Sequence, residues 1–164
     1  MELLKTYRSD LILHESACLG ELDGVKLSLS QNPTSINDFS ADGFTALGLA
    51  AYFGHSQLVN WLLLQGANPS LPSANPLQVT PLHSACANSH FEITKLLIHH
   101  QADVNAKQQH GVTPLHSAAH NNDRDLVQFL IDKGADLQAK MDNGKTPKDL
   151  ARESGCSDLF ENLE

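Results

Sequence analysis

The chain has 164 residues, 41% of them hydrophobic, enough for one core, which predicts a single domain over residues 1–164. Nineteen Asp and Glu against eleven Lys and Arg leave a net charge of −8, which repels a phosphate backbone and excludes nucleic acid as a natural partner. The longest apolar run, around Trp61–Leu64, is far too short to span a bilayer, so no membrane association is expected.

In chain order, Met1 to Asp10 mix Glu2, Lys5, Arg8 and Asp10 with short apolar runs and resemble neither a secretory signal nor a transit peptide. Leu13-His14-Glu15-Ser16-Ala17 is a faint first copy of a pattern that then recurs as Thr45-Ala46-Leu47-Gly48, Thr80-Pro81-Leu82-His83, Thr113-Pro114-Leu115-His116 and Thr146-Pro147-Lys148-Asp149. The four full copies are spaced by 35, 33 and 33 residues, and self-similarity at such a period marks a repeat array. Behind them come second apolar stretches, such as Leu58 to Leu64 before Gly66-Ala67-Asn68, and Leu126 to Ile131 before Gly134-Ala135-Asp136. The units divide at about 9–38, 39–71, 72–107, 108–140 and 141–164.

Helix-end chemistry predicts the local structure of a unit. Thr80 can accept the amide hydrogen of His83, and Pro81 fits the first helical position, where no donor is needed. Leu82, Ala85 and Cys86 then share one helical face, with small residues that let neighbouring helices approach closely. A second helix carries Ile93, Leu97 and Ile98, or Leu126, Val127, Leu130 and Ile131, and Gly134 gives it a left-handed end. One such helix pair cannot cover its own apolar face. Stacking the pairs removes several side chains per unit from water, each worth about 1.5–3 kcal/mol.

T-P-L-H-x-A at a 33-residue period, with G-A-D or G-A-N after the second helix, resembles the ankyrin repeat family over about residues 9–164. The resemblance implies an all-α solenoid of stacked helix-turn-helix units with projecting β-hairpin loops and a concave inner surface. It also implies protein recognition and no enzymatic activity. The end units depart from the pattern: Gly24 and Ser28 stand at positions apolar in other copies, and Asn32 where the family has glycine. In the last unit Lys148, Asp149, Arg152 and Glu153 are polar while Leu150, Ala151, Leu159 and Phe160 are not, as a terminal cap requires.

Between Asp42 and Glu92 lie 49 residues without Asp, Glu, Lys or Arg. Charge depletion with aromatic enrichment marks interface centres, and Phe44, Tyr52 and Phe53 occupy positions that face the concavity in the family. The same positions in other units are Cys18, Leu19, Val79, Ala87, Asn88, Val112, His120 and Asn121. Together they predict a partner-binding stripe that is apolar to weakly polar, on a chain expected to be a monomer. The connection from Ser70 to Val79 carries Pro72, Pro76 and the extra length, and is expected to protrude as a finger.

Cys18, Cys86 and Cys156 are odd in number, far apart and without C-x-x-C spacing, so they read as thiols in a reducing compartment, the cytoplasm or the nucleus. Of nine histidines, His14, His83 and His116 belong to the repeated motif and His55 and His90 to the family's G-H position, so structural hydrogen bonding outweighs a metal site at His116 and His120 or His99-His100. Ser117, His116 and Asp123 form no workable triad, because neighbours on a helix face apart and no G-x-S-x-G elbow is present. No phosphate or dinucleotide fingerprint occurs, so neither catalysis nor a cofactor is expected. Asn105 resembles the asparagine that a hydroxylase modifies in many ankyrin repeats, which makes this chain a candidate substrate or regulatory subunit of a modifying enzyme. Gln101 replaces the glycine after the second helix of the third unit, where a side chain is strained in a left-handed conformation, so that end is expected to be frayed or remodelled.

Overall fold

A computed structural model describes residues 12–161. The readings made for Met1 to Asp10, for the start of the first unit and for the last three residues lie outside it.

The elements run in pairs: α1 (residues 12–19) with α2 (Leu22–Gln31), α3 (Ala46–Phe53) with α4 (Ser56–Leu64), α5 (Pro81–Ala87) with α6 (Phe91–His99), and α7 (Pro114–His120) with α8 (Arg124–Asp132). α9 (Pro147–Glu153) is followed by a short 3-10 turn over Ser157–Phe160. From the second unit onward the first helix starts directly after a threonine whose backbone lies extended. Thr45 Oγ1 accepts the Gly48 amide at 3.0 Å, Thr80 Oγ1 that of His83 at 3.4 Å and Thr146 Oγ1 that of Asp149 at 3.3 Å, each satisfying a helix-end donor. α8 is capped by Asp123, whose carboxylate accepts from the Leu126 amide.

The first helices pack in file, α3 on α5, α5 on α7 and α7 on α9, and each also packs on the second helix of its own unit. Ala50 and Ala51, Ala85 and Cys86, and Ala118 and Ala119 are all buried in that file; their small side chains allow the close approach. Leu47, Leu82 and Leu115 sit between the files with Leu58, Leu62, Leu97, Leu126 and Leu130, none above 1% exposure. The core is therefore continuous along the array, as the stacking argument requires. At the first unit a Cβ on Gly24 would lie 2.2 Å from Ser16 Oγ, so α1 and α2 touch where other units carry larger residues. At the far end Ala151, Leu159 and Phe160 are buried while Arg152 and Glu153 are exposed, the two-faced arrangement of a cap.

The connections between units turn back as hairpins. The Ser40 amide donates to the Phe44 carbonyl at 2.8 Å, and Gln108 to Val112 and Met141 to Lys145 at 3.0 Å. Only an isolated bridge, Phe39 with Thr45, has strand geometry among the described residues. The Ser70 to Val79 connection is no free finger. Ser73 donates to the Val79 carbonyl at 2.9 Å, Ala74 to the Gly43 carbonyl of the hairpin before it at 2.8 Å, and Gln109 of the hairpin after it to the Leu77 carbonyl at 2.9 Å. The two extra residues are absorbed inside a loop tied on both sides, because leaving these backbone groups unpaired would cost more than ordering them.

Gln101 has φ 67°, left-handed as expected of a glycine position. The helix end is nonetheless neither frayed nor remodelled: the Ala102 amide still donates to the Leu97 carbonyl at 3.0 Å, as Ala67 does to Leu62 at 3.0 Å behind Gly66.

Candidate partner-binding surface

The exposed sides of the first helices and their hairpins form one wall, the inner wall. Its framework is a set of histidine rungs between units. His55 Nε2 donates to the Cys18 carbonyl at 2.8 Å and His90 Nε2 to the Tyr52 carbonyl at 3.1 Å, each reaching back one unit. His83 Nε2 donates to the Val112 carbonyl at 3.0 Å and His116 Nε2 to Lys145 at 3.2 Å, each reaching forward one unit, and His14 Nε2 donates to the Asp38 carbonyl at the end of its own unit at 3.0 Å. All five motif histidines are thus spent on backbone carbonyls, four of them in a neighbouring unit and His14 on Asp38 at the end of its own.

A carbonyl can only accept, so Nε2 carries a proton in each rung, and in a neutral ring Nδ1 is left with the lone pair. In His83 that lone pair faces the Thr80 hydroxyl at 2.8 Å and the Thr80 amide at 3.4 Å; His116 faces Thr113 in the same way at 2.9 and 3.2 Å. With both nitrogens occupied, neither ring offers a lone pair to a metal. Burial, against the pull of the Val112 carbonyl, pushes the His83 ring down to about 4, and burial lowers His116 as well. Among the described residues no group of three or more His, Cys, Asp or Glu is placed to hold a metal ion.

The candidate stripe lies along these rungs. Leu19, Tyr52 and Phe53 are 62%, 51% and 50% exposed, so none is a core residue. Tyr52 and Phe53 meet edge to face with ring centroids 5.1 Å apart, and the Phe53 ring stacks at 6.3 Å on His55, whose own rung holds it in place. Phe44, Val79 and Val112 are half-buried at the feet of the hairpins. Asn88 is exposed, and its amide donates to the Ser84 carbonyl at the end of α5. Asn121 donates to the Ala87 carbonyl at 2.9 Å and so doubles as a tie between units. His120 Nδ1 meets the Ser154 hydroxyl at 3.3 Å.

Val112, His120 and Asn121 come together with Ala87 around a depression of about 250 Å³ between the third, fourth and fifth units. Ser117 and Leu150 also line it. Sequence reasoning missed those two, although both stand at the helix position that Leu49 holds in the second unit, four residues beyond the capping threonine. Leu19, Phe44, Tyr52, Phe53, Val79 and Asn88 do not reach that depression. The wall therefore carries exposed aromatics in its first half and an indentation with histidine and asparagine in its second. Glu15 in the first unit is exposed, and Glu153 in the last pairs with Lys145 at 2.7 Å.

Two family profiles match the chain, ankyrin repeats in three copies over residues 13–108 and ankyrin repeats in many copies over residues 97–151. The serine/threonine-protein kinase TNNI3K of Mus musculus is 37% identical over 87 residues, 49% of this chain and 10% of that protein. The ankyrin repeat and KH domain-containing protein mask of Drosophila melanogaster is 34% identical over 95 residues, 56% of this chain and 2% of that protein. The putative ankyrin repeat protein FPV014 of Fowlpox virus (strain NVSL) is 30% identical over 96 residues, 58% of this chain and 21% of that protein. This chain matches only a small part of each of the three. Threonine-capped helix pairs stacked in file and more than half the chain matched by the three-copy profile lead to one conclusion: the chain belongs to the ankyrin-repeat family.

Proposed function

We propose that this chain is an adaptor, scaffold or inhibitor that captures a protein partner on its inner wall, with Tyr52 and Phe53 at the centre of the contact. Ankyrin repeats indicate a protein-protein interaction module. The observation that carries the finer reading is the Tyr52–Phe53 edge pair, half exposed and backed by the His55 ring, within a stretch holding no charged residue from Phe44 to Phe91. Large rigid aromatics lose little side-chain freedom on binding and dominate interface energies. Leu19, Phe44 and Val79 extend that patch, Val112 adds an apolar contact beyond it, and Asn88, His120 and Asn121 supply polar ones. Three thiols without a disulfide, Cys18, Cys86 and Cys156, support a reducing compartment, the cytoplasm or nucleus, as its place of work.

The test is affinity capture from the native source with the wild-type chain and a Tyr52→Ala, Phe53→Ala double variant. Loss of one specific partner by the variant, with thermal unfolding unchanged, supports the reading. Equal capture by both chains, or a large drop in melting temperature, removes it.

A second reading makes the chain a substrate for asparagine hydroxylation at Asn105, whose side chain is exposed. Its carboxamide is committed at both ends, accepting from the Asp136 amide at 2.8 Å and donating to the Gly134 carbonyl at 3.0 Å. Modification then requires the fourth unit to peel away from the third. A peptide containing Asn105 heavier by one oxygen, in protein from its native cell, supports this; an unmodified peptide rules it out.

A further inference from the structure

The face opposite the inner wall is built by the second helices, and it carries a row of its own. Trp61, Leu96 and Phe129 recur at spacings of 35 and 33 residues, the spacings of the repeat itself; all three are half-buried, Trp61 and Leu96 against the core. The row is not evenly closed. α4 and α6 run close together, whereas α6 and α8 stand further apart, and the opening is bridged by Phe91 and Phe129, edge to face with centroids 5.4 Å apart. Over this bridge lies a groove of about 650 Å³, lined among others by Glu92, Lys95, Leu96, His99, Phe129 and Lys133. That is the size range in which proteins hold ligands and peptide side chains.

Its charge runs against the rest of the molecule. In a chain of net charge −8, the groove presents two lysines and a histidine against one glutamate. Lys95 is already engaged, with Nζ 2.6 Å from Glu92 and 5.0 Å above the Phe91 ring. Lys133 lies across the Phe129 ring at 5.5 Å and makes no ion pair among the described residues; the neighbouring Asp132 carboxylate accepts from Gln128 instead. The ring holds this ammonium at the groove wall by attraction to its face. A cation so placed, next to the apolar surface of Leu96 and Phe129, matches a carboxylate adjoining a bulky apolar group.

We propose that this groove is a second docking surface, which takes a partner segment carrying Asp or Glu beside an aromatic or leucine side chain. The carboxylate meets Lys133 and His99, and the apolar side chain covers Leu96 and Phe129. Because Tyr52 and Phe53 lie on the opposite wall, the proposal stands apart from inner-wall capture and gives the array two faces with which to bridge two proteins.

The experiment is an amide-resolved NMR titration of the whole chain with the synthetic peptide acetyl-DELFEDLF-amide, and with its neutral counterpart acetyl-NQLFQNLF-amide. Saturable shifts at His99, Phe129 and Lys133, a still Tyr52, and binding weakened roughly tenfold or more in the neutral peptide are the expected results. Lys133→Glu abolishes the effect and Lys133→Met, which keeps the apolar stem, weakens it; both keep the wild-type unfolding midpoint. Still groove amides, equal binding of the two peptides, or shifts confined to the inner wall overturn the proposal. So does concentration-dependent self-association that moves the same groove amides, which would give the face to a second copy. None of these failures affects capture through Tyr52 and Phe53.

Discussion

Gly54 and His90 are fitted to each other: a Cβ on Gly54 would lie 2.8 Å from His90 Cε1, closer than any such contact tolerates, and the glycine sits at φ 84°. Gly20 bears the same relation to His55, with a Cβ at 2.6 Å from the ring. Where the following unit has no such histidine the requirement lapses. Opposite the third unit the position is Asp123, which caps α8, and the residue corresponding to Gly54 is Ser89, still left-handed at φ 54°.

Gly54→Ala is therefore expected to lose stability on two counts, a left-handed alanine worth about 1–2 kcal/mol and the clash with the His90 ring. His90→Ala removes the second count and leaves the first. A double-mutant cycle by urea unfolding should show positive coupling, with the double variant more stable than the sum of the single losses. Strict additivity would mean that the ring moves aside at no cost.

Gln101→Gly and Ser89→Gly should each stabilise the fold, since both side chains hold positive φ angles, 67° and 54°. Relief of left-handed strain, less the added freedom of glycine in the unfolded chain, leaves a gain of up to about 1 kcal/mol per site. Equal denaturation midpoints for wild type and variants would show that the side chains recover the strain through contacts of their own.

Acid should loosen the array in the range set by the buried rungs. His83 titrates near 4 in the folded chain, below its ordinary 6.5, because burial opposes the charged ring. Between those values the unfolded chain takes up a proton that the folded chain refuses. Its contribution is thus complete above pH 6.5 and falls as pH drops toward 4, by about 3 kcal/mol at 1.36 kcal/mol per unit. His116 shifts the same way, also through burial. Protonation of His83 would place a hydrogen on Nδ1 facing the Thr80 amide and so break the cap, while Nε2 keeps its bond to the Val112 carbonyl. Asp149 acts lower on the scale. Hydrogen bonds from the Thr146 amide and hydroxyl, then Arg152 and Lys145, hold its carboxyl below the ordinary range, so its stabilisation is lost only as pH falls below that range. Unfolding free energies of wild type and His83→Gln measured from pH 7.5 to 4.5 provide the check: the variant starts less stable and the gap narrows in acid. A constant gap would mean that His83 is not held neutral.

The repeat period, the capping threonines, the small residues between stacked helices and the two-faced ends were all legible from the residues, because each depends on neighbours within one unit or on the same position one period away. The exposure of Leu19, Tyr52 and Phe53 was legible for the same reason. The left-handed turn at Gln101 could be placed from the glycines that hold that position elsewhere, but its intact closing bond could not.

Other features needed the units to be set side by side. Ala74 and Gln109 tie the long hairpin to both its neighbours, and the choice of carbonyl by each histidine depends on backbone some thirty residues away. The gap between α6 and α8 is decided by how far apart two helices come to rest around Phe91 and Phe129. A local pattern fixes which side chains a unit offers to its neighbour. The distance at which those side chains stop one another is settled only by packing, and in this chain packing leaves one groove open on the face that periodicity had filled with apolar residues.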